Sequence, residues 1–130
     1  MSFTLVGDDC FFISDEYVGW IEAKKKCEQR EASLVSLETV EKKERLVSLV
    51  RSISRRKSHD YWLGGNDIYK EGEWEWAGDR TGVPDYGWRE ALYNSLEENC
   101  LAWRVDTASN DYWQGMSCCN NLQYVCQIVP

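Results

Sequence analysis

The sequence predicts an α+β fold, and the order of its periodic segments is the main reason. Helical periodicity is confined to residues 17–54, and only short strand-like segments separated by loops follow it. A chain of 130 residues is also long enough to form one domain with a substantial core. We therefore expect residues 1–130 to form a single domain in which two helices are segregated from a set of short antiparallel strands.

The first half of the chain predicts one strand and both helices. Residues 10–14, CFFIS, form an aromatic run that indicates the strand. Apolar residues then recur in steps of three and four over 17–30, which indicates the first helix. After an extended connector at 33–37, Thr39 is the expected N-cap of a second helix that ends near residue 54.

The second half predicts further strands around a long loop. Strand-like segments occupy residues 61–65 and 73–77. Residues 78–96 have little periodicity and form a loop of about 20 residues, a length that is usually functional in a compact domain. The later segments LAWRV and DYWQGM can face each other as a hairpin. The site is therefore expected near this loop and hairpin.

Four of the six cysteines lie in the last third of the chain. Cys100 and Cys118 bracket the hairpin, so a bridge between them could close its base. Cys27 is the natural partner for Cys126, because that bridge would close a loop of roughly 100 residues and contribute about 4 to 5 kcal/mol. Six cysteines without a CxxC pair or a Cys/His cluster indicate an oxidising, extracellular location and no metal held by cysteine.

Charge and targeting signals exclude several functions. The net charge of −7 disfavours binding to nucleic acid and to anionic membranes. No signal peptide, hydrophobic span or lipidation motif is visible, so we expect no membrane insertion and a mature or excised fragment that begins at Met1. The basic run Arg51, Arg55, Arg56 and Lys57 is either a solvated helix end or a patch for an anionic or sulfated ligand.

An enzyme is not expected, because no catalytic set can be assembled from the sequence. His59 is the only histidine, and it follows a basic run, where a solvated loop residue is the simpler interpretation. The paired acids Glu97 and Glu98 have no sign of an apolar pocket that would separate their pKa values. The remaining hypotheses concern binding.

Nearly the whole chain resembles the C-type lectin-like domain. The residues that carry the resemblance are Cys27 in the first helix, LVSL at 34–37, YWLGG at 61–65, EWEWAGD at 73–79, Trp88, and the cysteines at 100, 118 and 126. The resemblance implies the bridges Cys27–Cys126 and Cys100–Cys118. It also implies a double-loop fold in which the terminal strands pair and a long loop carries the ligand.

Sugar-binding members of that family hold a calcium ion in the long loop, and two of their calcium motifs are degenerate here. The family's Glu-Pro-Asn triplet falls on Glu90-Ala91-Leu92, so only the first oxygen ligand remains. Its Trp-Asn-Asp motif falls on Trp113-Gln114-Gly115, although Glu98 is retained. Calcium requires six to eight oxygen ligands, so this set predicts that the usual sugar site does not form.

An auxiliary calcium site of the family is matched in part. Asp67 and Glu71 fall on two of its carboxylates, Glu98 and Asn99 could add oxygens, and Tyr93 replaces a third acid. The alternative is that Asp67 and Glu71 are ordinary turn and surface acids, since exposed carboxylates are common. Ca²⁺ is therefore a candidate cofactor, and its candidate ligands are Glu98, Asp67 and Glu71.

The aromatic residues predict both core and surface. Trp20, Trp62 and Trp113 match core positions of the family. The other four tryptophans include strand neighbours that point to opposite faces, so some of them should be exposed. With Tyr86, Trp88, Tyr93 and Tyr112 near the long loop, we expect an aromatic surface that could stack on sugar rings or anchor in a protein partner.

Two functions follow from these residues. The first is an extracellular recognition module that binds a glycan or a protein without the usual calcium site, and the second is a calcium-dependent lectin with an atypical ligand set. The expected ligand-binding residues are Glu90, Leu92, Tyr93, Glu98, Arg104, Tyr112 and Gln114. Cys10 should lie near residue 128 and form no bond with Cys119, which leaves a disulfide-linked or non-covalent dimer as an alternative.

Overall fold

Both predicted helices and an eight-stranded sheet are present in the computed structural model, which describes residues 3–53, 58–88, 98–106 and 111–128. The helices are α1, Trp20–Gln29, and α2, Val40–Ile53. The strands are β1, Thr4–Val6; β2, Asp9–Ile13; β3, Ser33–Leu34; β4, Ser58–Asn66; β5, Glu75–Trp76; β6, Cys100–Asp106; β7, Asp111–Met116; and β8, Gln123–Ile128. The α+β class is therefore confirmed.

The two helices differ in how closely they follow the predicted bounds. Helix α1 begins three residues later than expected because Val18 is held by a β-bridge, in which its N–H and carbonyl both bond to Leu122 at 3.0 Å. Helix α2 begins as predicted, since the Thr39 hydroxyl oxygen accepts a hydrogen bond from the Lys42 N–H at 3.2 Å. The basic run at its end lies largely outside the described residues, which include only Arg51.

The sheet brings the two ends of the chain together. Its strand order is β1-β2-β8-β4-β6-β7, and β3 and β5 pair with β8 and β4 respectively. Strands β2 and β8 are antiparallel and place Cys10 opposite Ile128, as expected. The only parallel pair among the named strands is β4 with β8. The hairpin of β6 and β7 therefore forms one edge of the sheet, next to the long loop.

Both expected disulfides are formed. Cys27 in α1 is bonded to Cys126 in β8, and Cys100 at the start of β6 is bonded to Cys118 after β7. Cys10 and Cys119 are free thiols. The first bridge ties α1 to the central sheet, and the second closes the base of the hairpin.

The sheet is buried on both faces, which gives the domain two core clusters. One cluster lies under α2 and the start of the long loop and includes Leu46, Tyr61 and Trp103; the other lies under α1 and includes Trp20 and Trp62. Because the central parts of β4 and β6 are covered on both sides, residues 61–66 and 100–103 are all buried.

This double burial corrects the expectation for the tryptophans. Trp20, Trp62 and Trp113 are in the core as predicted, but so are Trp74, Trp76 and Trp103, and Trp88 is half-buried. Exposure of these strand neighbours was the wrong prediction. Neither helix in the described residues is long and apolar enough to cross a membrane.

Candidate ligand-binding face

The β6–β7 hairpin positions three of the predicted ligand-binding residues. Its register places Arg104 opposite Tyr112 and Ala102 opposite Gln114. Side chains alternate along a strand, so Tyr112 and Gln114 lie on one face of β7. Trp113 and Gly115 lie on the other face, where Trp113 belongs to the core under the long loop. Arg104, Tyr112 and Gln114 thus form a strip of half-buried side chains.

Arg104 is held in place by a partner from the neighbouring strand. Its Nε and Nη2 atoms donate to the two carboxylate oxygens of Asp60 at 2.9 and 2.8 Å. This bidentate geometry fixes the plane of the guanidinium. The sequence analysis did not predict this ion pair. An acid on one strand directly opposite a base on the next is the signal that could have found it.

The start of the long loop packs against the outer edge of β7. The Trp113 N–H donates to the Gly87 carbonyl at 2.7 Å, and Trp88 forms a parallel bridge with Trp113. The Tyr86 hydroxyl donates to the Leu37 carbonyl at 2.7 Å, and burial raises the pKa of this phenol. Tyr86 is therefore a structural anchor for the loop rather than part of an exposed aromatic surface.

Four indole rings fill the space behind this loop, and we call them the tryptophan cluster. They are Trp74, Trp76, Trp88 and Trp113. Neighbouring rings meet edge to face at centroid distances between 5.0 and 6.4 Å, a favourable arrangement for aromatic pairs. Their four indole N–H groups are buried and have no hydrogen-bond acceptor in the described part of the chain. Ring packing, rather than hydrogen bonding, therefore holds the cluster together.

Glu98 reaches this region through its backbone. A Cβ atom placed on Gly115 would lie 2.9 Å from the Glu98 carbonyl oxygen and 3.4 Å from a ring carbon of Trp74. The Glu98 carbonyl thus covers the face of β7 that carries Gly115, whereas Gln114 points to the opposite face. The Glu98 backbone and the Gln114 side chain therefore lie on opposite faces of the hairpin, and a ligand surface shared by these residues stays a prediction.

Asp67 and Glu71 lie in a turn that follows β4. The Asp67 N–H donates to the Asn99 carbonyl at 3.0 Å, which places this turn beside Glu98 and Asn99. One carboxylate oxygen of Asp67, Oδ2, accepts a hydrogen bond from the Gly72 N–H at 2.9 Å, and Gly72 has a φ of 84° that favours glycine. Asp67 is buried, so it is not the surface acid of the alternative interpretation, and it has a structural role in closing the turn.

The residues at the family's sugar site fit calcium poorly. Those at the auxiliary site fit it in part. Gly115 offers no side-chain oxygen, and the space beside it is filled by protein atoms. At the auxiliary position the Oδ1 atom of Asp67 is buried without a hydrogen-bond partner, as expected of a potential cation ligand. However, no group of three or more His, Cys, Asp or Glu side chains is arranged to hold a metal ion in the ranges that the structure describes.

The remaining predicted ligand residues cannot be placed. Glu90, Leu92 and Tyr93 all fall within 89–97, which lies outside the described residues.

His59 is not a solvated loop residue as predicted. It lies in β4 and is half-buried, and its Nδ1 atom is 2.9 Å from the Gln123 side-chain oxygen.

Comparison with known proteins identifies the family. The profile of the Lectin C-type domain matches residues 16–128. A perlucin-like protein from Mytilus galloprovincialis is 27% identical over 121 residues, which are 91% of this chain and 75% of that protein. The C-type mannose receptor 2 of Homo sapiens is 31% identical over 125 residues, which are 95% of this chain but only 8% of the receptor.

Solved structures of similar fold agree with this assignment. The carbohydrate-recognition domain of the mouse scavenger receptor C-type lectin has a TM-score of 0.81 at 21% identity, covering 98% of this chain and 93% of its own. A calcium-independent type II antifreeze protein has a TM-score of 0.78 at 22% identity, covering 98% and 92%. Since the family profile matches residues 16–128 of the 130, this chain belongs to the C-type lectin domain family.

Proposed function

We propose that this chain is an extracellular recognition module that binds a glycan or a protein through its long-loop face and without the calcium–sugar site typical of its family. We define the long-loop face as residues 84–99 with the adjacent strip of Arg104, Tyr112 and Gln114. No catalytic step is part of the proposal. The domain is a binding unit, and neither nucleic acid nor a lipid bilayer is its target.

The single observation that carries the proposal is the contact between Gly115 and Glu98. Calcium at the sugar site of the family needs side-chain oxygens from the motif that falls on Gln114 and Gly115. Here the second position has no side chain, and a Cβ atom would meet the Glu98 carbonyl oxygen at 2.9 Å. That distance is too short for a side chain to enter without a backbone shift, which supports a domain without the usual calcium–sugar site.

The strip on the opposite face of the hairpin supports recognition of a polar ligand. Arg104 and Asp60 present a planar ion pair, and Tyr112 lies directly across from Arg104 on the next strand. A guanidinium, a phenol and the amide of Gln114 are adaptable hydrogen-bonding groups that also suit a sugar or a peptide. Tyrosine and arginine are enriched among residues that dominate binding energy in protein interfaces.

A calcium titration followed by thermal unfolding tests the proposal. We expect the melting temperature of the purified, oxidised domain to be the same in chelator and in millimolar calcium. Binding to the native state alone would stabilise it by about 2.7 kcal/mol when the free ion is at 100 times its Kd. A shift of that size would contradict the proposal, and a glycan array with and without chelator would then name the ligand class.

The alternative function is a calcium-dependent lectin with an atypical ligand set, and one observation favours it. The Oδ1 atom of Asp67 is buried without a partner, and its turn lies beside Asn99 and Glu98. A calcium response that is lost in Asp67→Asn but kept in Glu16→Gln would support this alternative. Glu16 is a suitable control because it is an acid in the segment before α1, remote in sequence from the turn.

A further inference from the structure

A partly open cavity of about 240 Å³ lies between α1 and the segment from Asn66 to Arg80. Its apolar walls are Trp20, Ile21, Ile68, Tyr69 and Ala77. Its volume lies between the roughly 150 Å³ that admits benzene and the roughly 300 Å³ at which drug-sized pockets begin. The cavity can therefore hold a body of one or two rings.

Three walls of this cavity are apolar side chains that the core does not use. Ile21, Ile68 and Tyr69 are 48%, 46% and 69% exposed, and they are three of the most exposed large apolar residues described. Ile21 lies in α1, but the buried apolar residues of that helix are Trp20, Ala23 and Cys27. Exposed apolar residues gathered around one cavity indicate a binding site.

The cavity is also preformed. The indole N–H of Trp20 donates to the Leu63 carbonyl at 2.8 Å, which fixes the ring that forms the inner wall. The guanidinium of Arg80 lies 4.1 Å from the centroid of the Tyr69 ring, so these two side chains support each other at the rim. Asn66, which is 1% exposed, also lines the cavity, and its amide nitrogen has only 3.4 Å contacts, at the weak end for hydrogen bonds. A polar group of a ligand can improve on these contacts.

The rim has the opposite charge to the rest of the chain. Three cations, Lys24, Lys25 and Arg80, line the cavity with one acid, Glu28. Lys24 is paired with Glu28 at 3.2 Å and Arg80 with Glu75 at 2.6 Å. Lys25 takes part in no ion pair among the described residues. In a chain with a net charge of −7, this rim is a local positive site.

We propose that this cavity binds a small amphiphilic anion, with an apolar body of one or two rings against Trp20, Ile21 and Ile68 and its negatively charged group beside Lys25. No residue of the long-loop face lines this cavity, so the proposal is independent of the function argued above. The shape of the cavity selects the apolar body, and the rim selects the sign of the charge.

A matched pair of fluorescent probes tests both parts. The first probe is 8-anilinonaphthalene-1-sulfonate, and the second is N-phenyl-1-naphthylamine, which has the same rings without the sulfonate. Titration of the native, oxidised domain in chelator should give saturable binding of one sulfonate probe per chain, tighter than binding of the neutral probe. No saturation, or equal affinity for the two probes, would overturn the proposal.

Three variants locate the site. Lys25→Gln should weaken the sulfonate probe about threefold, the size expected of one partly exposed charge contact, and leave the neutral probe unchanged. Lys26→Gln removes the same charge from the next residue, which does not line the cavity, and should change neither affinity. The double variant Ile21→Ala and Ile68→Ala should weaken both probes about tenfold, because it removes apolar wall.

The variants are interpretable because Lys25, Ile21 and Ile68 are exposed, and Lys26 is half-buried with an ion pair to Glu16 at 3.4 Å. Circular dichroism and the melting temperature of each variant should match those of the parent protein within about 2 °C for the lysine changes. Equal loss of sulfonate binding in Lys25→Gln and Lys26→Gln would mean that only bulk charge matters and would overturn the proposal. So would unchanged affinity in the double isoleucine variant.

Discussion

The carbonyl oxygen of Glu98 lies 2.9 Å from the position that a Cβ atom of Gly115 would take. Glu98 lies in the segment that leads into β6, and Gly115 lies in β7. Here the backbone of one segment packs directly onto the other, with a ring carbon of Trp74 close behind at 3.4 Å. The glycine is therefore required by packing.

Gly115→Asp should destabilise the domain and should not create a calcium site. The new side chain would overlap the Glu98 carbonyl and place a carboxylate beside a carbonyl oxygen, so we expect a cost of about 1–3 kcal/mol in the free energy of unfolding. Urea denaturation with and without calcium measures both effects. Gln114→Asn is the control, since its half-buried side chain lies on the other face of β7. Unchanged stability, or stabilisation by calcium, in Gly115→Asp would contradict the packing argument.

Asp67→Ala should destabilise the domain even in chelator. The change leaves the Gly72 N–H without its acceptor and empties a buried position, so we expect a loss of about 1–3 kcal/mol. Asp67→Asn retains an oxygen that can accept this bond and should cost less. If Asp67 served only a metal ion, both variants would match the parent protein when calcium is absent, and thermal unfolding in chelator would reveal it.

The two disulfides should differ in their contribution to stability. The bridge Cys27–Cys126 spans 99 residues and Cys100–Cys118 spans 18. In the chain-entropy account these separations correspond to about 4.7 and about 3 kcal/mol. Replacement of each pair by alanines, followed by denaturant unfolding, should therefore give the larger loss for Cys27→Ala with Cys126→Ala. A reversed order would mean that strain or residual structure outweighs chain entropy here.

The sequence predicted the disulfides and helices well because both depend on local patterns or on spacing that the family resemblance supplies. Thr39 caps α2 through its own side chain, so its role is local and predictable. The start of α1 was wrong by three residues because Val18 bonds to Leu122, more than 100 residues later in the chain. No local periodicity contains that contact.

The candidate site was predicted less completely, because its contacts also join residues that are distant in the sequence. Trp74 and Trp103 were expected among residues that could be exposed, but a sheet covered on both faces buries both of them. Arg104 was correctly placed on the strand next to the long loop, whereas its ion pair with Asp60 depends on the register of β4 and β6. Register is set by the whole sheet, so it could not be read from either segment alone.

Cys119 should be the first cysteine to react with a thiol reagent. It is exposed, whereas Cys10 is partly covered by its neighbours in the sheet. Titration with Ellman's reagent should therefore show one fast and one slow thiol, and Cys119→Ser should remove the fast phase. If non-reducing gels show a disulfide-linked dimer, the same variant should abolish it while Cys10→Ser does not. The reverse result would place the exposed thiol elsewhere.

Tyr124→Phe should change the acid stability of the domain through Glu16. The Tyr124 hydroxyl donates to the Glu16 carboxylate at 2.6 Å, and this bond, with help from Lys26, holds the pKa of Glu16 below its ordinary value of 4.5. A carboxyl whose pKa is depressed by folding stabilises the native state above its unfolded pKa. That contribution is lost as the pH falls through the folded pKa.

The stability difference between the parent protein and Tyr124→Phe should therefore be largest above about pH 5 and shrink toward pH 3. Because Glu16 is largely exposed, we expect only about 0.5–1 kcal/mol at neutral pH. Tyr86→Phe is the matched control, since its hydroxyl bonds to the Leu37 carbonyl, which does not titrate, so its cost should stay constant over the same range. Denaturant unfolding from pH 3 to pH 7 separates the two. Parallel curves of unfolding free energy against pH for both variants would show that the Glu16 charge does not contribute to stability. Only a partner that titrates can make the cost of losing a hydroxyl depend on pH.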